Sequence, residues 1–128
     1  MNRAMKQDVE KHLRVAEETL REMEHLMAGG FHKAVVRRAY HAMLNAATAA
    51  LLAKEIQGGA RQPIVSEFND AFVKTGLLDE KYHRYFSQAF NSRIEPDDPV
   101  FASVDHRQAQ TNLLRVKDFI AACRILCD

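Results

Sequence analysis

The sequence predicts an all-α protein, an up-and-down bundle of four main helices with a shorter fifth, organised as a single domain over residues 1–128. Three observations lead there. Apolar side chains recur three and four residues apart through most of the chain. No stretch alternates apolar and polar residues as a half-buried strand would. The five glycines and three prolines fall at or between the ends of the periodic stretches, where they punctuate helices instead of breaking them.

The first helix is expected over 5–27, where Met5, Val9, Leu13, Ala16, Leu20, Met23 and Met27 draw one apolar face and charged residues fill the rest. Gly29-Gly30 ends it, because glycine accepts the left-handed backbone that closes a helix. A second helix runs from Phe31 to about Lys54. Its stripe of Val35, Ala39, Ala42, Ala46, Ala49 and Ala53 is so small that a neighbouring helix can approach closely, so this helix should be central and buried. After a loop at 57–61, Pro63 suits the first turn of a third helix with Ile64, Phe68, Ala71 and Phe72 on its face, stopped by Thr75-Gly76. Asp79 is placed to cap a fourth helix through about Arg93, with Tyr82, Tyr85, Phe86, Ala89 and Phe90 as an aromatic face. Residues 95–99, Glu-Pro-Asp-Asp-Pro, cannot continue it. Ser103 is the expected cap of the last helix, where Ala109, Leu113, Val116, Ile120, Cys123 and Cys127 repeat.

Composition narrows the function classes. With 18 basic against 17 acidic residues the formal net charge is +1, which excludes a histone-like polycation and leaves any nucleic-acid contact to a local patch. No run of ~18 uncharged apolar residues is present to span a membrane, and the opening MNRAMKQDVEKH is too charged for a secretory signal, so a cytoplasmic location is expected. Cys123 and Cys127 could share a helix face, but zinc needs two further ligands and no histidine lies near them in sequence; neither metal nor cofactor is expected.

Three constellations could carry chemistry. Arg38, His41, Asn45 and Thr48 are spaced three, four and three, a polar line down an otherwise apolar helix. It reads either as a groove in which Arg38 and His41 meet an anion, or as an exposed strip or a satisfied internal hydrogen-bond network. His32, Lys33, Arg37 and Arg38 form the densest basic stretch, with Lys33 and Arg37 one turn apart, either a phosphate site or a solvated face; Lys81, His83 and Arg84 pose the same choice. Arg93 ends the aromatic helix just before Glu95, Asp97 and Asp98, which can hold it as a salt-bridge partner and would repel a phosphate. No phosphate-binding glycine loop, zinc-protease motif or nucleophile motif occurs.

The run RRAYHAMLNAATAALL within Phe31–Leu52, and FNDAFVKTGLLDEKYHRYFSQAFNSR at 68–93 followed by Asp97, resemble HEPN domains, the helical domains named for higher eukaryotes and prokaryotes nucleotide-binding. The likeness runs from about Met5 to Ile125 and is strongest to the stand-alone bacterial and archaeal subgroup often found beside a minimal nucleotidyltransferase. Many members are metal-independent ribonucleases acting as dimers, with an arginine followed after four to six residues by a histidine at the interface. The resemblance implies that Arg93 matches that arginine. Asp98, Pro99 and Val100 stand where the histidine would, and His106 lies too far along. Tyr40-His41 replaces a common tyrosine pair and Arg61 a common histidine, so His41 is the candidate to stand in, if Arg38, His41 and Arg93 converge.

Two functions follow from this resemblance. The first is a non-catalytic or weakly catalytic HEPN-type module that forms a homodimer and binds a nucleotidyltransferase partner, a nucleotide or RNA, with Lys33, Arg37, Arg38 and Arg93 on phosphate. The alternative is a metal-independent ribonuclease of a toxin–antitoxin or defence system using Arg93, Arg38 and His41. The small-residue stripe is read as support for close helix contact in the dimer.

Overall fold

The computed structural model describes residues 2–56, 63–92 and 104–128, and among these every regular element is helical. Helix α1 spans Arg3–Ala28, α2 His32–Ala53, α3 Ile64–Phe68, α4 Glu80–Ser92 and α5 His106–Cys127. Among the described residues these are the four main helices and one shorter one that the sequence predicts, an all-α bundle.

Local chemistry sets the ends of these helices. Asn2 caps α1, its side-chain oxygen accepting from the Met5 amide at 2.8 Å. At the other end the Phe31 amide donates to the Leu26 carbonyl at 2.9 Å, and Gly30 sits at φ +79°, where a side chain would be strained. The same closure ends α2, with the Ile56 amide donating to the Leu51 carbonyl at 2.9 Å, but there Glu55 occupies the left-handed position at φ +56°. Ahead of α4, the Asp79 carboxylate accepts from the Lys81 amide at 2.9 Å, as its expected capping role requires.

Two expectations need correction. The third helix does not run on as a regular α-helix: after Phe68 it widens into a π-helical turn over Asn69–Val73, closed by the Lys74 amide on the Asn69 carbonyl at 2.9 Å. Phe68, at the end of α3, and Phe72, in this turn, are both buried and lie side by side in the core with ring centroids 5.2 Å apart. The cap of α5 is Asp105, not Ser103. Its carboxylate accepts from the Gln108 amide at 2.9 Å while the Gln108 side chain accepts from the Asp105 amide at 3.0 Å, a reciprocal capping box that Ser103, two residues earlier, is out of register to make.

Helix α2 touches each of the other four helices. Val35, Ala39, Ala42, Ala46 and Ala49 are fully buried, as a central helix requires. Because this stripe is covered by helices of its own chain, it is not a surface for a second copy. Contacts between α1 and α2 pair Glu22 with Arg38 and His12 with Asn45, so the two run antiparallel. Tyr82 and Gln88 of α4 meet Asp118 and Arg115 of α5 in reverse order, so those two also run antiparallel. The beginnings of α2 and α5 meet where the His32 and His106 rings lie 5.5 Å apart, and their ends meet where Ala53 and Cys127 pack near Val9. The path is thus up, down, up, down through α1, α2, α4 and α5. The aromatic face of α4 locks the core, Phe86 lying 5.3 Å from Phe119 and 5.6 Å from Phe68 between ring centroids.

Candidate functional site

The polar line of α2 lies along the seam with α1. Its upper member, Arg38, holds its Nε 2.9 Å from Glu22 Oε1 and its Nη2 3.4 Å from Glu22 Oε2. The Nε contact is a charge contact without an aligned N–H bond, and the pair is partly open to solvent. One turn on, His41 is half-buried. Burial is the main cause that pushes its imidazole below the usual histidine value, the Arg38 guanidinium adds to this, and Glu22 opposes it. The shift favours the neutral imidazole, the form able to accept a proton.

Below His41 the line turns inward on the structure. Asn45 faces His12 of α1, with 2.9 Å between Oδ1 and the ring Nδ1, and its amide donates to the His41 carbonyl at 3.0 Å. Thr48 donates to the Leu44 carbonyl at 2.7 Å, and the buried Thr19 of α1 donates to Val15 at 2.8 Å. These are bonds of a satisfied network. The line thus divides: Asn45 and Thr48 tie α2 together and to α1, while Arg38 and His41 remain at the rim.

Lys33 and Arg37 are exposed on the neighbouring row of α2, and neither has an ion-pair partner among the described residues. On α4 the basic trio separates. Lys81 pairs with Asp118 at 3.1 Å, and that hydrogen bond pushes its ammonium above the usual lysine value; Asp118 also accepts from Tyr82 at 2.8 Å. His83 turns Nε2 toward Ser87 at 3.5 Å, and Arg84 is exposed. Arg93, Arg61 and the Glu95–Pro99 run, on which the expected match to the arginine motif falls, lie outside the described residues; of the expected trio the described residues include Arg38 and His41, one turn apart on α2. His106 opens α5. Cys123 is buried, which pushes its thiol well up, and no cluster of three metal-ligating side chains occurs among the described residues.

Glu22 and His12 were not anticipated as members of the site. A signal for Glu22 exists: it stands eight residues before Gly30 and Arg38 eight after, so folding the chain into a hairpin about that glycine brings them level.

A helical bundle with one charged rim on its central helix defines a class, and comparison with known families makes it specific. The HEPN domain family matches residues 9–126. The chain belongs to the HEPN family. Among curated relatives, "Putative toxin MJ0142" of Methanocaldococcus jannaschii is 30% identical over 105 residues, covering 82% of this chain and 71% of the relative. "Putative toxin MJ0605" of the same organism is 27% identical over 97 residues, 76% of this chain and 72% of the relative. A "UPF0332 protein" of Thermotoga maritima is 24% identical over 115 residues, 90% of this chain and 87% of the relative. No described helix is long and apolar enough to cross a membrane.

Proposed function

We propose that this protein is a toxin-type HEPN protein of a toxin–antitoxin or defence system, acting on RNA as a metal-independent ribonuclease. The observation that carries the reading is the Arg38–His41 pair: a guanidinium at the rim of the central helix, one turn from a half-buried imidazole whose neutral form burial favours. The toxin names of two relatives favour this reading over the binding module put first on sequence grounds. In this chemistry His41 takes the proton of a 2′-hydroxyl as that oxygen bonds to phosphorus and the bond to the 5′-oxygen breaks. The imidazolium then returns the proton to the 5′-oxygen. Arg38, and Arg93 by its match to the family arginine, stabilise the added negative charge on the phosphate.

The test is cleavage of a labelled RNA in the presence of EDTA. Cleavage should persist, and His41→Gln should lower it about 10²- to 10⁴-fold, the usual range for losing a general acid–base group, with the fold retained. Cleavage unchanged in His41→Gln, or absent from the wild-type protein, overturns the assignment.

One observation favours a second reading, the non-catalytic module. Arg38 already has a carboxylate partner in Glu22, so a phosphate must displace or share it. A module of this kind would form a homodimer or hold a nucleotidyltransferase, and addition of that partner would raise the melting temperature by mass action without any cleavage.

A further inference from the structure

At the corner where α1 hands over to α2, Phe31 is 62% exposed although it is a large aromatic. Its ring edge lies on the Gly29 backbone so closely that a Cβ on Gly29 would come within 2.8 Å of Cε2, so the ring is seated against the turn with the rest of its surface facing outward. Gly30, Phe31, His32, Lys33, Ala34 and Arg37 line an open groove of about 330 Å³ there. That volume is at the small end of ligand clefts, room for about one nucleotide unit.

Two cations stand beside the ring. Lys33 and Arg37 have no ion-pair partner among the described residues, as is also true of other exposed cations such as Arg14, Arg21 and Arg84, but these two line the same groove as Phe31, and the first turn of α2 contains no acid. An isolated exposed Phe or an isolated basic row is ordinary surface. A seated aromatic ring flanked by two unpaired cations one helical turn apart is the arrangement that takes a base on its face and successive phosphates on its charges.

We propose that this corner is a docking site for single-stranded RNA, with one base stacked on Phe31 and backbone phosphates on Lys33 and Arg37. The inference rests on the RNA-directed reading above and extends it. Lys33, Arg37 and His41 follow one another at four-residue steps, so a strand lying along this row passes from Lys33 to His41 over roughly 12 Å of helix. The corner sets where the strand enters; the Arg38–His41 rim is where it is cut.

The experiment is a fluorescence-anisotropy titration of a labelled eight-nucleotide oligouridine across a salt series. Phe31→Ala should weaken binding about 5- to 150-fold, the usual value of one stacked base, and Phe31→Trp should restore it. Lys33→Gln with Arg37→Gln should lower the salt slope by about 1.4, two phosphate contacts of a single strand. Melting curves unchanged in these surface variants keep the comparison to binding alone. Affinity and salt slope equal to wild type in both variants overturn the docking site while leaving the ribonuclease reading intact. Undetectable binding by the wild-type chain overturns both. Binding that depends on Phe31 without any cleavage supports the docking site and overturns the ribonuclease. Displacement of the oligonucleotide by uridine monophosphate at equal nucleotide concentration overturns the strand in favour of a single-nucleotide ligand.

Discussion

Replacing Glu22 with Gln tests whether the Arg38–His41 rim is a site or a strut. In the wild-type protein the Glu22 carboxylate lies 2.9 Å from Arg38, so a phosphate drawn to the guanidinium comes within about 4 Å of a second negative charge. Two unit charges at ~4 Å repel by ~1 kcal/mol in water and ~4 kcal/mol at an effective dielectric of ~20. The Glu22 side chain is 51% exposed, so the watery limit governs, and Glu22→Gln should tighten RNA binding about fivefold, the equivalent of ~1 kcal/mol. The cost in stability should be small, since an ion pair this open is worth ~0.2–1 kcal/mol. His41 responds as well. Glu22 is the influence that raises its pKa against burial and Arg38, so its loss lowers the imidazole further, and the acid limb of the cleavage profile should move to lower pH. The assay is a titration of labelled RNA at fixed salt beside denaturant melts of both proteins. Affinity unchanged or weakened in Glu22→Gln would refute the electrostatic argument, and a stability loss above ~2 kcal/mol would show that Glu22 holds the helices together instead.

Three further outcomes follow from the packing and the titrations. Phe119→Ala removes a fully buried ring that lies 5.1 Å from Phe68 and 5.3 Å from Phe86, and should cost ~3–5 kcal/mol, read as a lower urea midpoint at constant slope. His41 has a lower pKa folded than unfolded, so the unfolded chain binds the proton more readily; this stability is fully present above about pH 6.5, falls below it as the unfolded ring takes its proton first, and levels off once the native ring is protonated too. Urea melts at pH 7.5 and pH 5 should therefore show a larger acid loss in wild type than in His41→Gln, and an equal loss would contradict the burial of the ring. Glu55→Gly places glycine at a left-handed position, φ +56°, and should raise the melting temperature by the equivalent of up to ~1 kcal/mol; a fall would show that the Glu55 side chain does something its backbone angle does not reveal.

Much of the fold was legible because it depends on local rules. The three-and-four spacing of apolar residues marks α1, α2 and α5 without knowledge of any neighbour, and the Gly29-Gly30 break is a matter of backbone sterics. The resemblance to HEPN domains was readable in the same way, from the residues of α2 and α4, and the family match bears it out. The cap of α5 was less legible: Ser103 and Asp105 are both good capping residues, and only the register of Gln108 selects the aspartate.

What periodicity could not resolve was the meaning of the polar residues, because a lone polar line on a helix looks the same whether it faces solvent, a ligand or another helix. Arg38, His41, Asn45 and Thr48 are evenly spaced in sequence, yet the fold gives them different roles: α1 supplies His12 to Asn45 and Glu22 to Arg38, while His41 is left half-buried between them. The alanine stripe, read in sequence as a surface for a second copy, is consumed by the chain's own helices for the same reason. Residue order thus determined which helices form and to which family they belong. Only the tertiary structure separated Arg38, paired with Glu22, from Lys33 and Arg37, which have no ion-pair partner among the described residues and stand beside the exposed ring of Phe31.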